Sequence, residues 1–438
     1  MNIFRHLQIK GGKQRTLLYF LLVFVALFAV FSLVNPWRQL YLSNLNIGLS
    51  NTFVFWSVSI WLLIIICFYL FFFKKRIIFS FPLLSAVFIA LSLSLSLLLP
   101  LTSNDLYSYV YQGRVWSVFR LNPYIYTYSS LLQDNFSPVL NNYWSFRTSP
   151  YGPLFTVFSG FFTYIFQASL LGSLLSLKVF FASLNIAVGV LIYRFRFSLD
   201  SFYLYAFNPL ILFEIVVNGH NDVCLVFFLI WSIILALRGK NKSVFWPFLL
   251  LFFSIAIKYL SVVLIPIWLI IFWREDSSRR SRLCVISNFA LAGLASLLLY
   301  CHFFPNLSIF TASLLEQGRL VHFLKSPLIS WLDTVLNVFS TNHLNIAVIS
   351  GRAIFLILYL FLLIRVWFHG SRENLLYYST LAITILLLSF FTWMMPWYLV
   401  VPIALFSLLY NQEKYQSLAV FSIVMFTIYG SITYIILR

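Results

Sequence analysis

Charge is scarce in this chain. Only 9% of its 438 residues are Asp, Glu, Lys or Arg, and just 11 are acids. A soluble fold of this length could not cover its surface with so few polar groups, so a water-soluble globular protein is excluded. Cysteine is scarce as well. Cys67, Cys224, Cys284 and Cys301 have no metal or redox spacing, and three of these four lie in or beside apolar runs, where they read as small hydrophobes. There is no H-E-x-x-H, no Gly-rich phosphate loop on a strand, no G-x-S-x-G and no Cys/His array. Nothing in the sequence calls for a metal or a cofactor. A separate soluble domain is also lacking, which argues against a nucleotide-sugar enzyme working in the cytoplasm.

What is present is apolar and aromatic. The hydrophobic fraction is 62%, with 50 Phe, 25 Tyr and 13 Trp, and the mean hydropathy is +0.94. Aromatics gather at membrane interfaces and can also form sugar-stacking surfaces; biased base composition can equally load a membrane protein with Phe. The formal charge is +18, but the basic residues sit mainly in short loops between apolar runs, as in Lys74-Lys75-Arg76 and Trp273–Arg282. That is the positive-inside pattern of a multi-pass membrane protein, and it argues against nucleic acid as partner. Arg5, Lys10, Lys13 and Arg15 precede the first long apolar run, which reads as an uncleaved first span.

A crossing needs about 20 apolar residues. Candidate runs are 16–34, 53–73, 77–99, 151–168, 173–193, 202–217, 223–238, 243–257, 260–273, 284–304, 345–366, 374–392, 397–410 and 417–437. The expected fold is all-α: a polytopic integral membrane protein with about 13 crossings, read from span length and loop charge. It forms one domain over 1–438, with a large first extracytoplasmic loop at 100–150 bearing short interfacial helices and a second outer loop at 305–344. The N-terminus is placed in the cytoplasm, the C-terminus outside, and the chain in the cell membrane. Loops Arg238–Ser243 and Trp273–Arg282 both belong inside, so one run between 151 and 238 must not span. The expectation is 202–217, which is short and interrupted by Asn208-Pro209, although this leaves Arg194 and Arg196 on the wrong side. Runs 243–257 and 260–273 read as a bent pair with Lys258-Tyr259 at the turn.

With this topology, the polar groups least at home in lipid gather outside. They come from loop 100–153 (Asn104, Asp105, Tyr107, Gln112, Arg114, Tyr151), from "NGHND" (Asn218–Asp222, with His220 and Asn221), from Lys258-Tyr259, and from "WMMPWY" (Trp393–Tyr398, with Trp397). Ionisable groups at a membrane edge are functional candidates by default. Each also has a plain structural reading. Asp105 can cap a helix, "SPYGP" can be a loop-to-helix entry, "NGHND" a polar turn, Lys258 a snorkelling side chain, and Trp393–Tyr398 an aromatic belt. Glu316–Arg319 reads as an interfacial helix.

One acid, several cations and aromatic surface suit sugar transfer from a lipid phosphate. A carboxylate can take the proton of an acceptor hydroxyl, and cations can hold the departing phosphate. A transporter or flippase of lipid-linked sugars would use the same groove without a chemical step. It would tend to show paired halves with matching broken helices, and no such match is evident. An envelope polysaccharide polymerase or ligase is harder to separate, though those enzymes tend to keep their site in a late outer loop.

Together "SNDLYSYVYQGRV" (103–115), "NPY" (122–124), "SPYGPLF" (149–155), "NGHNDV" (218–223), "AIKYLSVVLIP" (256–266) and "MPWYLVVP" (395–402) resemble the GT-C glycosyltransferases. Within that superfamily the set is most similar to bacterial polyprenyl-phosphate-mannose-dependent α-(1→6)-mannosyltransferases. The resemblance implies an inverting hexosyltransferase. It would take a sugar, mannose above all, from a polyprenyl-phosphate donor at the outer face and pass it to an envelope glycan or glycolipid. It also implies Asp105 as general base, Lys258, Arg114 and His220 toward the donor phosphate, and Asn104, Tyr107, Gln112, Tyr151, Asn221, Asp222, Tyr259, Trp397 and Tyr398 lining the substrate. The family often carries more acid near its first loop; here Asp105 follows Asn104.

Overall fold

A backbone crossing hydrocarbon must satisfy its own N–H and C=O groups, and a helix does this within one segment. The apolar runs accordingly become helices. A computed structural model describes residues 51–74, 80–131, 134–136, 143–239, 244–275, 278–319, 324–339 and 341–436. No strand occurs among them. The first apolar run at 16–34, the N-terminal basic residues and the basic residues Lys75, Arg76, Lys240 and Lys242 lie outside the described residues.

Helices α1 (Asn51–Lys74) and α2 (Phe81–Ser96) lead to the first long loop, where α3 (Asp105–Ser117) is followed by α4 (Pro153–Ile165). Then come α5 (Leu170–Arg196), α6 (Leu199–Ala206), the short α7 (Pro209–Ile211) running into a π-helical turn at Leu212–Val217, and α8 (Asp222–Arg238). Helices α9 (Phe245–Ile255) and α10 (Leu264–Glu275) flank a 3-10 turn at Tyr259–Val263. The remainder is α11 (Arg279–Phe303), α12 (Leu307–Arg319), α13 (Pro327–Leu336), α14 (His343–His369), α15 (Leu375–Ser389), α16 (Val400–Leu409) and α17 (Gln416–Ile436). By length and composition five described helices can cross a membrane: α1, α5, α11, α14 and the 22-residue segment Glu413–Tyr434, most of which belongs to α17. The pair Leu199–Ala206 and Pro209–Val217, bent by 44°, makes a sixth if it is taken as one broken span. Asn208 makes the bend, because its Oδ1 accepts the N–H groups of Leu210 and Ile211 while Pro209 ends the preceding helix.

The bundle has two chemically distinct ends. At one, arginines cap helix C-termini, where orphan carbonyls want donors. Arg238 donates to the carbonyls of Arg194 and Phe195 at the end of α5. Arg274 reaches Trp367 near the end of α14, and Arg372 bonds both Gly239 and Glu275. At the opposite end the first long loop, the Asn218–Asp222 turn, Lys258 and the segment after α15 converge.

This arrangement argues against 202–217 as the non-spanning run. Residues 199–217 start beside Arg194 at the basic end. They finish at Asn218, whose Oδ1 accepts from Leu101 and Thr102 at the other end, so this bent segment runs the full height. The short segment is α4. It starts where Gly152 donates to Ile257 at 2.9 Å, and it stays beside α3 until Gln167 O accepts from Arg114. Its partner α3 ends next to Phe303, at the far terminus of α11. Arg194 and Arg196 then lie at the basic end, where their charge fits. The reason is packing: α3 and α4 meet through Gly113 and Gly160 against Ser159 and Trp116, and α3 is buried on every residue but Trp116.

Candidate active site

The polar end encloses a cavity of about 780 Å³. Asn104, Asp105, Tyr151, Asp222, Lys258, Tyr259, Trp397 and Tyr398, all expected from the sequence, line it together with Thr102, Ser103, Arg352 and an apolar wall that includes Leu314, Phe355, Leu386 and Phe390. The second outer loop therefore contributes through Leu314. The side chains of Glu316–Arg319 lie outside the described residues.

Three local devices bring these groups together. First, Asp105 opens α3, where the free N–H groups favour an acid, and its own N–H donates to Ser103 Oγ at 3.2 Å. Second, Gly152 lets the Tyr151 segment lie directly on the α9 terminus. A Cβ there would come within 2.2 Å of the Ala256 carbonyl oxygen. The same contact places Lys258 just past α9, in extended backbone with φ −144°. Third, Gly219 takes φ +78°, a conformation open to glycine, and turns the chain back so that His220 and Asp222 face α3. The buried Lys178 fastens this junction: its Nζ donates to Leu98 O and, at 2.6 Å, to Val217 O.

Lys258 Nζ donates to Asp222 Oδ2 at 2.7 Å and stands 5.0 Å from the ring centre of Tyr398. Asp222 is thus a second carboxylate on the cavity. Burial pushes the Asp105 carboxyl up to about 7; Lys258 opposes that shift and Asp222 adds to it. Behind Asp105 lies His220, fully buried and stacked on Trp397 with ring centres 3.9 Å apart. Burial, helped by the nearby Lys258 charge, holds its imidazole well below the usual range and so neutral.

Not every expected residue reaches the cavity. Arg114 is turned away: its Nε and Nη2 clasp Asp134 at 2.7 and 2.5 Å, and its guanidinium lies 3.9 Å over Phe136. Burial favours a neutral Asp134, but the Arg114 and Tyr128 bonds outweigh it and hold the carboxyl below its usual range. With its charge matched inside the loop, Arg114 organises the loop and has no line to a donor phosphate. Gln112 accepts from Ser149 Oγ at 3.1 Å, Tyr107 is core, and Asn221 lies buried beneath the turn with its N–H on Tyr109 Oη. His220 also stands behind the cavity wall.

Sequence reasoning passed over Arg352, Glu214 and Lys178, each inside an apolar run. An ionisable residue within such a run was the available signal. Arg352 faces the cavity from α14, 5.3 Å from the ring centre of Phe390, and its Nε has no hydrogen-bond partner among the described residues. Glu214 projects from the π-helical turn, with Oε2 at 3.4 Å from His220 Nε2. Such turns often mark functional positions.

A family model described as alpha-(1->6)-mannopyranosyltransferase, N-terminal domain, matches residues 18–274. The chain belongs to that mannopyranosyltransferase family. It is 26% identical over 227 residues to alpha-(1->6)-mannopyranosyltransferase A of Mycobacterium tuberculosis, covering 49% of this chain and 41% of that protein. It is 30% identical over 152 residues to alpha-(1->6)-mannopyranosyltransferase B of Corynebacterium glutamicum, covering 33% of this chain and 25% of that protein. The alignments thus span less than half the length of either relative. No solved structure matches the chain. The matched region holds Asp105, His220, Asp222 and Lys258; Arg352, Trp397 and Tyr398 lie beyond it.

Proposed function

We propose that the chain is a membrane mannosyltransferase that moves mannose from a polyprenyl-phosphate donor to a hydroxyl of an envelope glycan or glycolipid, with inversion, at the outer face. The observation that carries this reading is the lining of one cavity. A carboxylate tuned for proton uptake near neutrality, two cations and an apolar wall meet there. In the reaction Asp105 takes the acceptor proton as the acceptor oxygen closes its bond to the mannose anomeric carbon. The bond from that carbon to the phosphate oxygen breaks, and its electron pair leaves with the lipid phosphate. Lys258 and Arg352 stabilise that phosphate. Asp222 offsets part of the Lys258 charge, so Arg352 carries the larger share. Trp397, Tyr398 and Tyr151 contact the sugar, and the apolar wall around Leu386 and Phe390 takes the first isoprene units.

The same reading puts the basic end in the cytoplasm and the cavity outside. Counting the bent segment and the run at 16–34 as crossings, and α4 as lying at the outer face, there are about 13 spans with the C-terminus outside. Purified protein incubated with radiolabelled polyprenyl-phosphate sugars and an alkyl mannoside should release lipid phosphate only when acceptor is present and should favour mannose. Asp105→Asn should fold normally and abolish transfer. Transfer by that variant near the parental rate would reject Asp105 as base.

A further inference from the structure

The polar groups behind Asp105 form a chain that runs from the backbone at Leu101 to His220. It begins at backbone. The N–H groups of Leu101 and Thr102 donate to Asn218 Oδ1 at 3.1 and 3.2 Å. This fixes which way the Asn218 amide points, because a backbone N–H cannot face an NH2 group. Asn218 Nδ2 must therefore donate, and it does so to Thr102 Oγ1 at 2.9 Å and to Glu214 Oε2 at 3.1 Å. Tyr434 donates to the other oxygen, Glu214 Oε1. Donors on both oxygens favour the ionised form of Glu214. Its Oε2 then faces His220 Nε2 at 3.4 Å. The imidazole is neutral and has one N–H, which belongs on Nε2 toward the carboxylate. Nδ1 is left as a bare lone pair, and it points at Asp105 Oδ2 from 3.6 Å.

We propose that Glu214 and His220 are positioning residues for Asp105: they fix the imidazole as the Nε2–H tautomer, so that Nδ1 accepts a hydrogen bond from Asp105 once that carboxyl has gained a proton. The inference rests on Asp105 being the proton acceptor of the reaction, and it adds what makes it one. The 3.6 Å gap, like the 3.4 Å one between His220 Nε2 and Glu214, is longer than a hydrogen bond. It closes when the proton arrives, since two lone pairs no longer face each other. A hydrogen bond made only by the protonated form strengthens Asp105 as a base. Atoms balance simply: the acceptor O–H bond breaks, the proton stays on Asp105 Oδ2 shared with Nδ1, and it leaves to solvent through the cavity after product departs. The other ionisable groups around this pair are Lys258, Asp222, Tyr109, Tyr111, Tyr151 and Tyr398. None of them supplies an acceptor for the Asp105 proton on the His220 side.

Two measurements test this without relying on turnover. In ¹⁵N-histidine-labelled protein, nuclear magnetic resonance should show a neutral imidazole signal that is lost in His220→Gln, stays neutral as pH falls below 6, and has Nδ1 bare and Nε2 protonated. An Nδ1–H tautomer or a cationic ring at neutral pH would overturn the proposal. Infrared titration, with Asp105→Asn as the blank, should place the Asp105 carboxyl near neutrality in the parent. Glu214→Gln should lower it by about one pH unit, the size of effect a neighbouring charge produces, and Glu214→Asp should restore it. An Asp105 titration unmoved in Glu214→Gln would also overturn it. Parallel transfer assays with polyprenyl-phosphate mannose separate the two ideas. Shifted titrations without any sugar transfer would reject the reaction and leave the hydrogen-bond chain standing; transfer with unshifted titrations would do the reverse.

Discussion

At the residue scale, the cavity divides its charges by partner. Lys258 is tied to Asp222, and the Arg352 Nε is unbonded among the described residues. Arg352→Ala should therefore raise KM for the lipid donor at least tenfold while KM for the acceptor barely moves, as charge-assisted phosphate contacts are worth about 1.5–3 kcal/mol. Initial-rate kinetics with each substrate varied in turn would check this. The pH profile follows from Asp105. A base must be ionised to act, and burial pushes this carboxyl up to about 7. Rate should thus climb as pH rises through 7 and fall tenfold per unit below it, where Asp105 is already protonated. A limb near pH 4 would contradict this.

Much of the residue-level site was legible in the sequence, and the exceptions share a cause. Asp105, Asp222, Lys258 and Trp397 stand in polar or aromatic breaks between runs, where hydropathy itself marks them. Glu214, Lys178 and Arg352 are single polar residues inside runs read as grease. The apolar run at 151–168 yields a helix of only 13 residues, shorter than a crossing. Pro153–Ile165 is as apolar as a span, but one of its faces is taken up by protein, α3 and α5, while Phe161, Tyr164 and Ile165 stay exposed. Hydropathy reports a dry environment and does not say whether lipid or protein provides it. Arg114 was misplaced because charge alone does not reveal a partner 20 residues on, in Asp134.

At the element scale, the close approach of Gly152 to the α9 terminus sets where Lys258 meets Tyr151. Any side chain at 152 pushes against the Ala256 backbone, which cannot rotate away. Gly152→Val should cost about 1–3 kcal/mol, the usual range for overpacking. It should lower the thermal midpoint of the purified protein and cut transfer further than the stability loss explains. Gly219→Ala, at φ +78°, should cost about 1–2 kcal/mol for the left-handed conformation. A scanning-fluorimetry midpoint matching the parent in both would show that these turns tolerate a Cβ. The bent segment 199–217 earns its shape from Asn208, whose Nδ2 also donates to Thr427 on α17 at 2.8 Å. That bond ties the bend to the last helix.

At the scale of the whole molecule, the two ends make a topological prediction. In a cysteine-free background, Ser278→Cys at the basic end should resist a membrane-impermeant maleimide in intact cells. Asn306→Cys, just past α11 at the cavity end, should label. Reversed labelling would turn the molecule over and with it the side on which the sugar donor is met. The all-helical class and the spacing of the motifs were readable because bilayer physics leaves few alternatives. That loops of both halves gather at one end was readable too, but the contribution of α14 through Arg352 was not, because no local pattern says which helices will be neighbours.

That meeting has a consequence for how such a protein can diversify. Asp105 and the Lys258–Asp222 pair lie within 18–274, whereas Arg352, Phe390 and Trp397 come from the later helices. In the proposed reaction the first half supplies the base and one phosphate contact, and the later helices supply Arg352 and much of the apolar wall. A hybrid carrying the later helices of a relative adapted to a shorter or longer isoprenoid should keep its sugar and change its carrier. Evolution could then alter the tail that is read without rebuilding the step that is performed.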